Sequence, residues 1–286
     1  EDFLYNLRNN FYIGNYQAAI NEADSIQDSE EKSLFVYRCY IGLGNYELVQ
    51  DEIQNDSSPS LLALKYFAMY LQDRSSYESI LEKLGNLSQT ELTAIVTSLV
   101  HYYENRIDEG LRAVASLTTI ESMSLMVHGL LMLNRVDKAS DIYKRMQQQD
   151  EDHTVTALTG TWITIAKGDQ GLKDAYYQFQ ELIDKFAASP LLLNGLAAYN
   201  LKTDKFDEAQ SALQESLEKN PTHPDTIANL ISCAAFSEKT PKQITQGTQR
   251  QIRQLKANDP NHVWLKQLEK FENDFDSCSA RFSASK

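Results

Sequence analysis

The sequence predicts an all-helical solenoid built from helix-turn-helix repeats, and three observations carry that expectation. Punctuation is sparse: 11 Gly and 6 Pro among 286 residues supply too few tight turns for a sandwich or barrel, so long helices are favoured. A short turn signature recurs along the whole chain. Its recurrences fall 29 to 38 residues apart, the length of two roughly four-turn helices with their connections.

The signature is a small or polar pair, an aromatic or aliphatic marker, and a small or aliphatic residue three positions on. The first unit carries it as Gly14-Asn15-Tyr16 with Ala19, the second as Gly44-Asn45-Tyr46 with Val49. Then come Ser75-Ser76-Tyr77 with Ile80, Asn105-Arg106-Ile107 with Gly110, and Asn134-Arg135-Val136 with Ala139. Leu172 with Ala175, Asp204-Lys205-Phe206 with Ala209, and Ile244 with Gly247 complete the series. Gly or Asn at the turn ends the first helix in a left-handed conformation that other residues resist. The marker packs back between the two helices, and the small residue one turn later lets their axes approach. From Leu193 through Ala209 and Leu217 to Pro221, apolar and small residues keep helical spacing on both helices, and proline closes the unit. That is the tetratricopeptide pattern, so the expected architecture is a tetratricopeptide-like right-handed superhelix. The first five units are shorter than the usual length of about 34 residues, which implies compressed helices or turns.

Such units contact only their neighbours. Residues 1–260 are therefore expected to form one continuous solenoid of about eight helix pairs, with Pro190, Pro221 and Pro260 punctuating the later ones. Ser237–Lys242 falls in the widest spacing and is expected to be a loop. Residues 261–286 read as a C-terminal capping helix and tail. Val263, Trp264, Leu268, Phe271 and Phe275 form its apolar stripe against Lys266, Glu269, Lys270 and Glu272.

A net charge of −13 argues against nucleic acid, whose binders must neutralise phosphates, and against direct docking on an anionic membrane. No apolar run reaches the ~18 residues that a spanning helix needs. Cys39, Cys233 and Cys278 are scattered, which fits unpaired thiols in a reducing compartment. The chain opens on Glu1-Asp2-Phe3-Leu4 without Met, as expected of a trimmed cytosolic protein. No phosphate-binding loop, nucleophile elbow or paired-histidine metal motif occurs. His101, His128, His153, His223 and His262 fall in five different units. Neither an enzyme nor a cofactor or metal site is therefore expected. Asp150 to His153 reads as a linker in which Asp152 caps the helix starting near Thr154.

Some helices are apolar all round. Between Leu34 and Ile41 only Arg38 is polar apart from tyrosine hydroxyls and Cys39, and Leu92–Tyr103 and Met123–Leu133 behave similarly. Either tight curling of neighbouring repeats or a bound partner satisfies the burial these faces require. In tetratricopeptide proteins the concave groove is lined by first-helix residues 12, 8 and 5 positions before the marker. That offset selects Phe11, Arg38, Ile41, Met69, Leu99, Tyr102 and His128 as candidate partner contacts. The lining suits a hydrophobic protein segment, with charges setting register. It differs from the Lys/Asn-rich clamp that holds a C-terminal carboxylate.

Several runs resemble one family: Asn9 to Glu22, Met146 through His153 to Trp162, Asp174 to Glu181, Leu191 to Gly195, His223 to Leu230, and Asn273 to Asp276. In these, in order along nearly the whole chain, the sequence is similar to the epsilon-subunit family of coatomer, the COPI vesicle coat. The resemblance implies a non-catalytic, cytoplasmic coat subunit, peripheral on Golgi membranes and not inserted in them. It further implies that the chain binds and stabilises the alpha coatomer subunit through that partner's C-terminal domain, its curled repeats enclosing a projecting element. The rest of coatomer would be contacted indirectly, in Golgi-to-ER and intra-Golgi transport. The alternative is a tetratricopeptide adaptor or co-chaperone that reads short peptide tails reversibly.

Overall fold

A computed structural model describes residues 2–168, 171–236 and 241–284, without side chains at 241–246 and 283–284. Seventeen α-helices and one short 3-10 turn occur among the described residues, and no strand. The chain divides into two compact units, Glu1–Ala187 and Ala188–Lys286. The first holds α1 (Tyr5–Tyr12), α2 (Tyr16–Ala23), α3 (Glu30–Gly42), α4 (Tyr46–Glu52), α5 (Pro59–Gln72) and α6 (Tyr77–Gly85). It continues with α7 (Glu91–Tyr103), α8 (Ile107–Val114), α9 (Ile120–Met132), α10 (Val136–Gln149), α11 (Thr154–Lys167) and α12 (Leu172–Phe186). The second holds α13 (Pro190–Lys202), α14 (Phe206–Lys219), α15 (Pro224–Phe236), α16 (Pro241–Asn258) and α17 (Val263–Ala284).

The turn signature works as its chemistry requires. Tyr16, Tyr46, Tyr77, Ile107, Val136, Leu172 and Phe206 are each the first residue of a second helix. Gly14, Gly44, Asn105, Asn134 and Asp204 take positive φ. The amide after each of these five donates to the carbonyl five residues back, as Asn15 does to Asn10 at 2.8 Å, satisfying an orphan carbonyl of the ending helix. The third unit departs from this: Arg74–Ser76 form a 3-10 turn, and the Asp73 carboxylate accepts from the Ser75 amide. Ala19, Val49, Ile80, Ala139, Ala175 and Ala209 are buried where the paired helices meet. The shorter period of the early units resides in the second helices. α2, α4, α6 and α8 have seven to nine residues, whereas α10, α12 and α14 have 14 or 15.

Side-chain oxygens of Ser29, Ser58, Thr90, Thr119 and Ser189 cap α3, α5, α7, α9 and α13, each worth about 1 kcal/mol. At α11 the expected cap is displaced by one residue. His153, not Asp152, accepts from the Val155 amide, at 3.1 Å through Nδ1. The Asp152 amide is instead held by the Asp150 carboxylate, which folds the linker back one residue too early for Asp152 to reach the helix.

In the first unit the first helices pack in sequence, α1 on α3, then α5, α7, α9 and α11, and α11 packs back on α1. The Thr154 hydroxyl donates to Asn9 Oδ1 at 2.6 Å in a buried pair that closes this ring. Both groups are out of water, so each needs the other. The His153 ring lies 5.6 Å from that of Tyr12, and Asn15 Nδ2 donates to the Phe186 carbonyl at 3.4 Å. Closure accounts for most of the helices that are apolar all round: no residue from Leu34 to Ile41 is exposed, and from Leu92 to Tyr103 only Tyr103 is, whereas Met123–Leu133 leaves His128, Met132 and Leu133 exposed. Tight curling thus satisfies the burial of the first two of these helices and only part of the third.

The second unit packs α13 to α16 in succession, around a buried polar network. Asn194 Nδ2 donates to the Thr226 hydroxyl at 2.8 Å, Thr226 and Ser216 share a hydroxyl pair at 2.8 Å, and Asn229 donates to Asn194 at 2.8 Å. Of the expected loop Ser237–Lys242, Ser237 to Thr240 lie outside the described residues, as does the side chain of Ile244, and Pro241 and Lys242 instead open α16, proline suiting a first helical turn. α17 caps the unit only at its beginning. Leu265 and Trp264 pack with Ile227, Ile231 and Leu255, but every side chain from Glu269 to Phe282 is exposed.

Candidate functional site

The interior of the ring gathers the residues with recognition chemistry. On the ring α3 and α9 are separated by α5 and α7 one way and by α1 and α11 the other. Contact between them must therefore cross the inside. Arg38 of α3 makes that contact with a two-pronged pair to Glu121 of α9, Nη2 on Oε1 and Nη1 on Oε2, the latter at 3.3 Å. The side chains are 15% and 25% exposed. The guanidinium also lies over the rings of Phe11 at 4.3 Å and Phe35 at 5.1 Å. Burial pushes the Arg38 pKa down from the usual arginine range. An arginine nonetheless stays charged in a protein, and Glu121 supplies the counter-charge. Glu121 sits in the first turn of α9, where the helix dipole favours a carboxylate.

Arg38 is the ninth residue of its helix, and the ninth residues of α7, α9 and α11 are Leu99, His128 and Trp162. These continue the same lining. The His128 ring lies 5.9 Å from Tyr102 and 6.4 Å from Trp162. His128 is solvent-accessible and Trp162 is 43% exposed. The protein surrounding His128 lowers its pKa, so the ring is neutral at pH 7 and offers aromatic contact and hydrogen bonding without charge. A hydroxyl pair between Ser124 and Thr159 at 2.8 Å ties α9 to α11.

The seven residues selected by the marker offset thus divide. Phe11, Arg38, Met69 and Leu99 are half-buried, and His128 is exposed. Ile41 and Tyr102 are buried and act in packing, which closes them to a partner in the free chain. Tyr102 is wedged from α7 against α8 and α9. A Cβ at Gly110 or Gly129 would overlap its ring, and its hydroxyl donates to the Leu125 carbonyl at 3.2 Å. Two lining residues escape the offset. Trp162 does so because α11 and its connection to α12 are each one residue longer than in the α9–α10 pair, so eight positions before Leu172 lies Thr164. The 36-residue spacing between Val136 and Leu172 comes mostly from α10, 14 residues long against 8 in α8, so it does not signal that shift. Glu121 carries no local signal, since its role depends on the ring closing. Among the described residues no group of three or more His, Cys, Asp or Glu is placed to hold a metal ion. Nor is any helix among them long and apolar enough to cross a membrane.

Paired helices with left-handed turns, closed into a ring with apolar, aromatic and charged side chains on its inner side, define a tetratricopeptide-type helical solenoid. Solved structures agree on the fold. A tetratricopeptide repeat protein from Parabacteroides merdae, 12% identical, superposes with a TM-score of 0.58 over 94% of this chain and 97% of that one. The Cut9–Hcn1 assembly of the APC/C, 13% identical, gives 0.59 over 91% and 53%. The family model described as coatomer epsilon subunit matches residues 1–283. Coatomer subunit epsilon-1 of Oryza sativa subsp. japonica is 35% identical, covering 96% of each chain. Coatomer subunit epsilon of Dictyostelium discoideum is 34% identical over 99% of each. The chain belongs to the coatomer epsilon subunit family.

Proposed function

We propose that this chain is a non-catalytic subunit of the coatomer vesicle coat that holds the C-terminal domain of the alpha subunit, enclosing a projecting element of it within the ring of the first unit. The observation that supports this reading is the inward array of Leu99, His128 and Trp162 beside the Arg38–Glu121 pair. Accessible aromatic anchors on a closed wall bury apolar surface on a partner, and the fixed charges set its register. The subunit works in the cytoplasm, peripheral to Golgi membranes, in Golgi-to-ER and intra-Golgi transport, and reaches the rest of coatomer through alpha. Its net charge of −13 suits attachment through the coat rather than direct contact with anionic lipid.

Co-expression with the alpha subunit's C-terminal domain tests this. His128→Asp with Trp162→Asp should abolish co-purification, since central aromatic anchors are each worth about 2 kcal/mol or more, while helicity and melting temperature hold. Lys138→Glu, on the exposed side of α10, should leave the complex intact. Undiminished co-purification of the aspartate pair would overturn the ring as the binding surface. Capture from cytosol of unrelated proteins that share a short tail, in place of alpha, would favour a peptide adaptor.

A further inference from the structure

The ring of the first unit has one junction unlike the other five. Behind each of those five a second helix packs on both first helices, α2 on α1 and α3, and likewise α4, α6, α8 and α10 on theirs. Parting any of them would tear a second helix from one of its partners. Behind the α1–α11 junction stands α12, which packs on α11 and reaches across with little. Lys185 Nζ lies 6.0 Å from the Tyr5 ring, and the Phe186 carbonyl accepts from Asn15 at 3.4 Å. The direct contact is polar. Asn9 Oδ1 meets the Thr154 hydroxyl at 2.6 Å, and Asn9 Nδ2 is already bonded to the Tyr5 carbonyl within α1. Water can replace each partner of that pair, so an open junction leaves neither group unsatisfied. Of α1, Tyr12 alone joins the apolar cluster of Met146, Val155 and Ile163, and it has the Phe11 and Phe35 rings beside it on its own side.

Width gives this junction its importance. Arg38 and Glu121 come from helices on opposite walls and meet, so at their level two side chains span the interior. A single helix with its side chains is about 10 Å across, and paired strands stand about 5 Å apart before side chains are counted. A ring that takes such an element at this level has to widen. We infer that the α1–α11 junction is a clasp: it opens, the Arg38–Glu121 pair parts, and the ring widens around its partner's projecting element while the five helix-backed junctions hold. Small rotations shared among those five interfaces separate α1 from α11, and no helix or chain connection is broken. The inference rests on the reading of the ring as the alpha subunit's site, but the clasp itself can also be tested in the free chain.

Asn9→Cys with Thr154→Cys, in a Cys278→Ser background, puts two sulfurs where the side-chain oxygens now meet, and oxidation locks the junction. Cys39 and Cys233 are buried and stay out of the reaction. The reduced variant should bind the alpha subunit's C-terminal domain. Oxidised before mixing, it should bind about tenfold or more weakly, and dithiothreitol should restore the affinity. Equal binding by the locked ring would overturn the clasp and leave the ring standing as the binding surface. Nitroxide labels on Gln17→Cys of α2 and Asp184→Cys of α12, both exposed positions, should move apart when the domain binds. An unchanged distance in the complex would also overturn the clasp. Failure of the parent and of every variant to bind the domain would instead sink the reading of the ring, and hydrogen exchange in the free chain then decides. Amides in the first two turns of α11 should exchange about tenfold or more faster than those at the same positions of α7, and the lock should remove the difference. Equal protection of the two helices before locking would show that the junction does not open.

Discussion

Glu121→Ala is the substitution that asks most of the ring. It leaves the Arg38 guanidinium over Phe11 and Phe35 with its counter-charge gone. Breaking a fully buried ion pair from one side costs roughly 3–5 kcal/mol. Here the side chains keep 15% and 25% exposure, so water partly resolvates the orphaned charge and about 2 kcal/mol is expected. Arg38→Met keeps much of the stem volume and strands the more accessible carboxylate instead, for about 1 kcal/mol. The double variant removes both charges and should stay within about 1 kcal/mol of the parent, giving a coupling energy of about 2 kcal/mol. The chain's two tryptophans make the assay local: Trp162 lies in the first unit and Trp264 in the second. In a Trp264→Phe background, urea unfolding followed by fluorescence therefore reports the ring. A coupling below about 0.5 kcal/mol, the range of exposed surface pairs, would refute the view that this pair braces α3 against α9.

Three further outcomes follow from the same geometry. Gly129→Ala drives a methyl group into the Tyr102 ring and should cost about 1–3 kcal/mol by overpacking, whereas Tyr102→Phe loses one bond to a carbonyl and should cost about 1 kcal/mol. An unchanged melting temperature for the alanine variant would contradict the packing. Cys39 is buried with its thiol pushed up to about 12, and Cys233 is buried too, whereas Cys278 is exposed. At pH 8 a thiol reagent should modify one cysteine in the native chain and three in denaturant, and rapid modification of Cys39 would show that α3 opens. Burial lowers the pKa of His153, so the unfolded chain binds a proton more readily than the folded one. Its contribution is thus complete above the unfolded value of about 6.5 and is lost as pH falls through the lower folded value. The first unit should melt earlier at pH 5.5 than at 7.5, and His153→Asn, which keeps a capping side chain without titrating, should flatten the profile in part. Only in part, because His101 and His128 shift in the same direction; a steeper profile in the variant would reverse the sign argued here.

What could be read from the residues was what a few neighbours decide. A left-handed turn, a marker opening a helix and a small residue one turn later act within about five positions, so those features of the repeats were legible before any packing was known. Ring closure is of another kind. Asn9 and Thr154 are 145 positions apart, and each alone is an ordinary polar residue of a helix end or surface. Their burial follows from rotations accumulated over five units, which no local pattern encodes. The site inherits this division. Position within a repeat locates Arg38, Leu99 and His128, but not Trp162, which a longer helix and connection carry to ten positions before Leu172. Register alone gives Tyr102 to the groove, but Gly110 and Gly129 open a seat for its ring between helices, and a buried seat outweighs register. The stripe on α17 shows the limit most plainly. Periodicity states that a helix has an apolar face but not how much of it the chain covers: the second unit packs Trp264 and Leu265 and leaves Phe271 and Phe275 exposed, and only the fold of the preceding helices decides where that boundary falls.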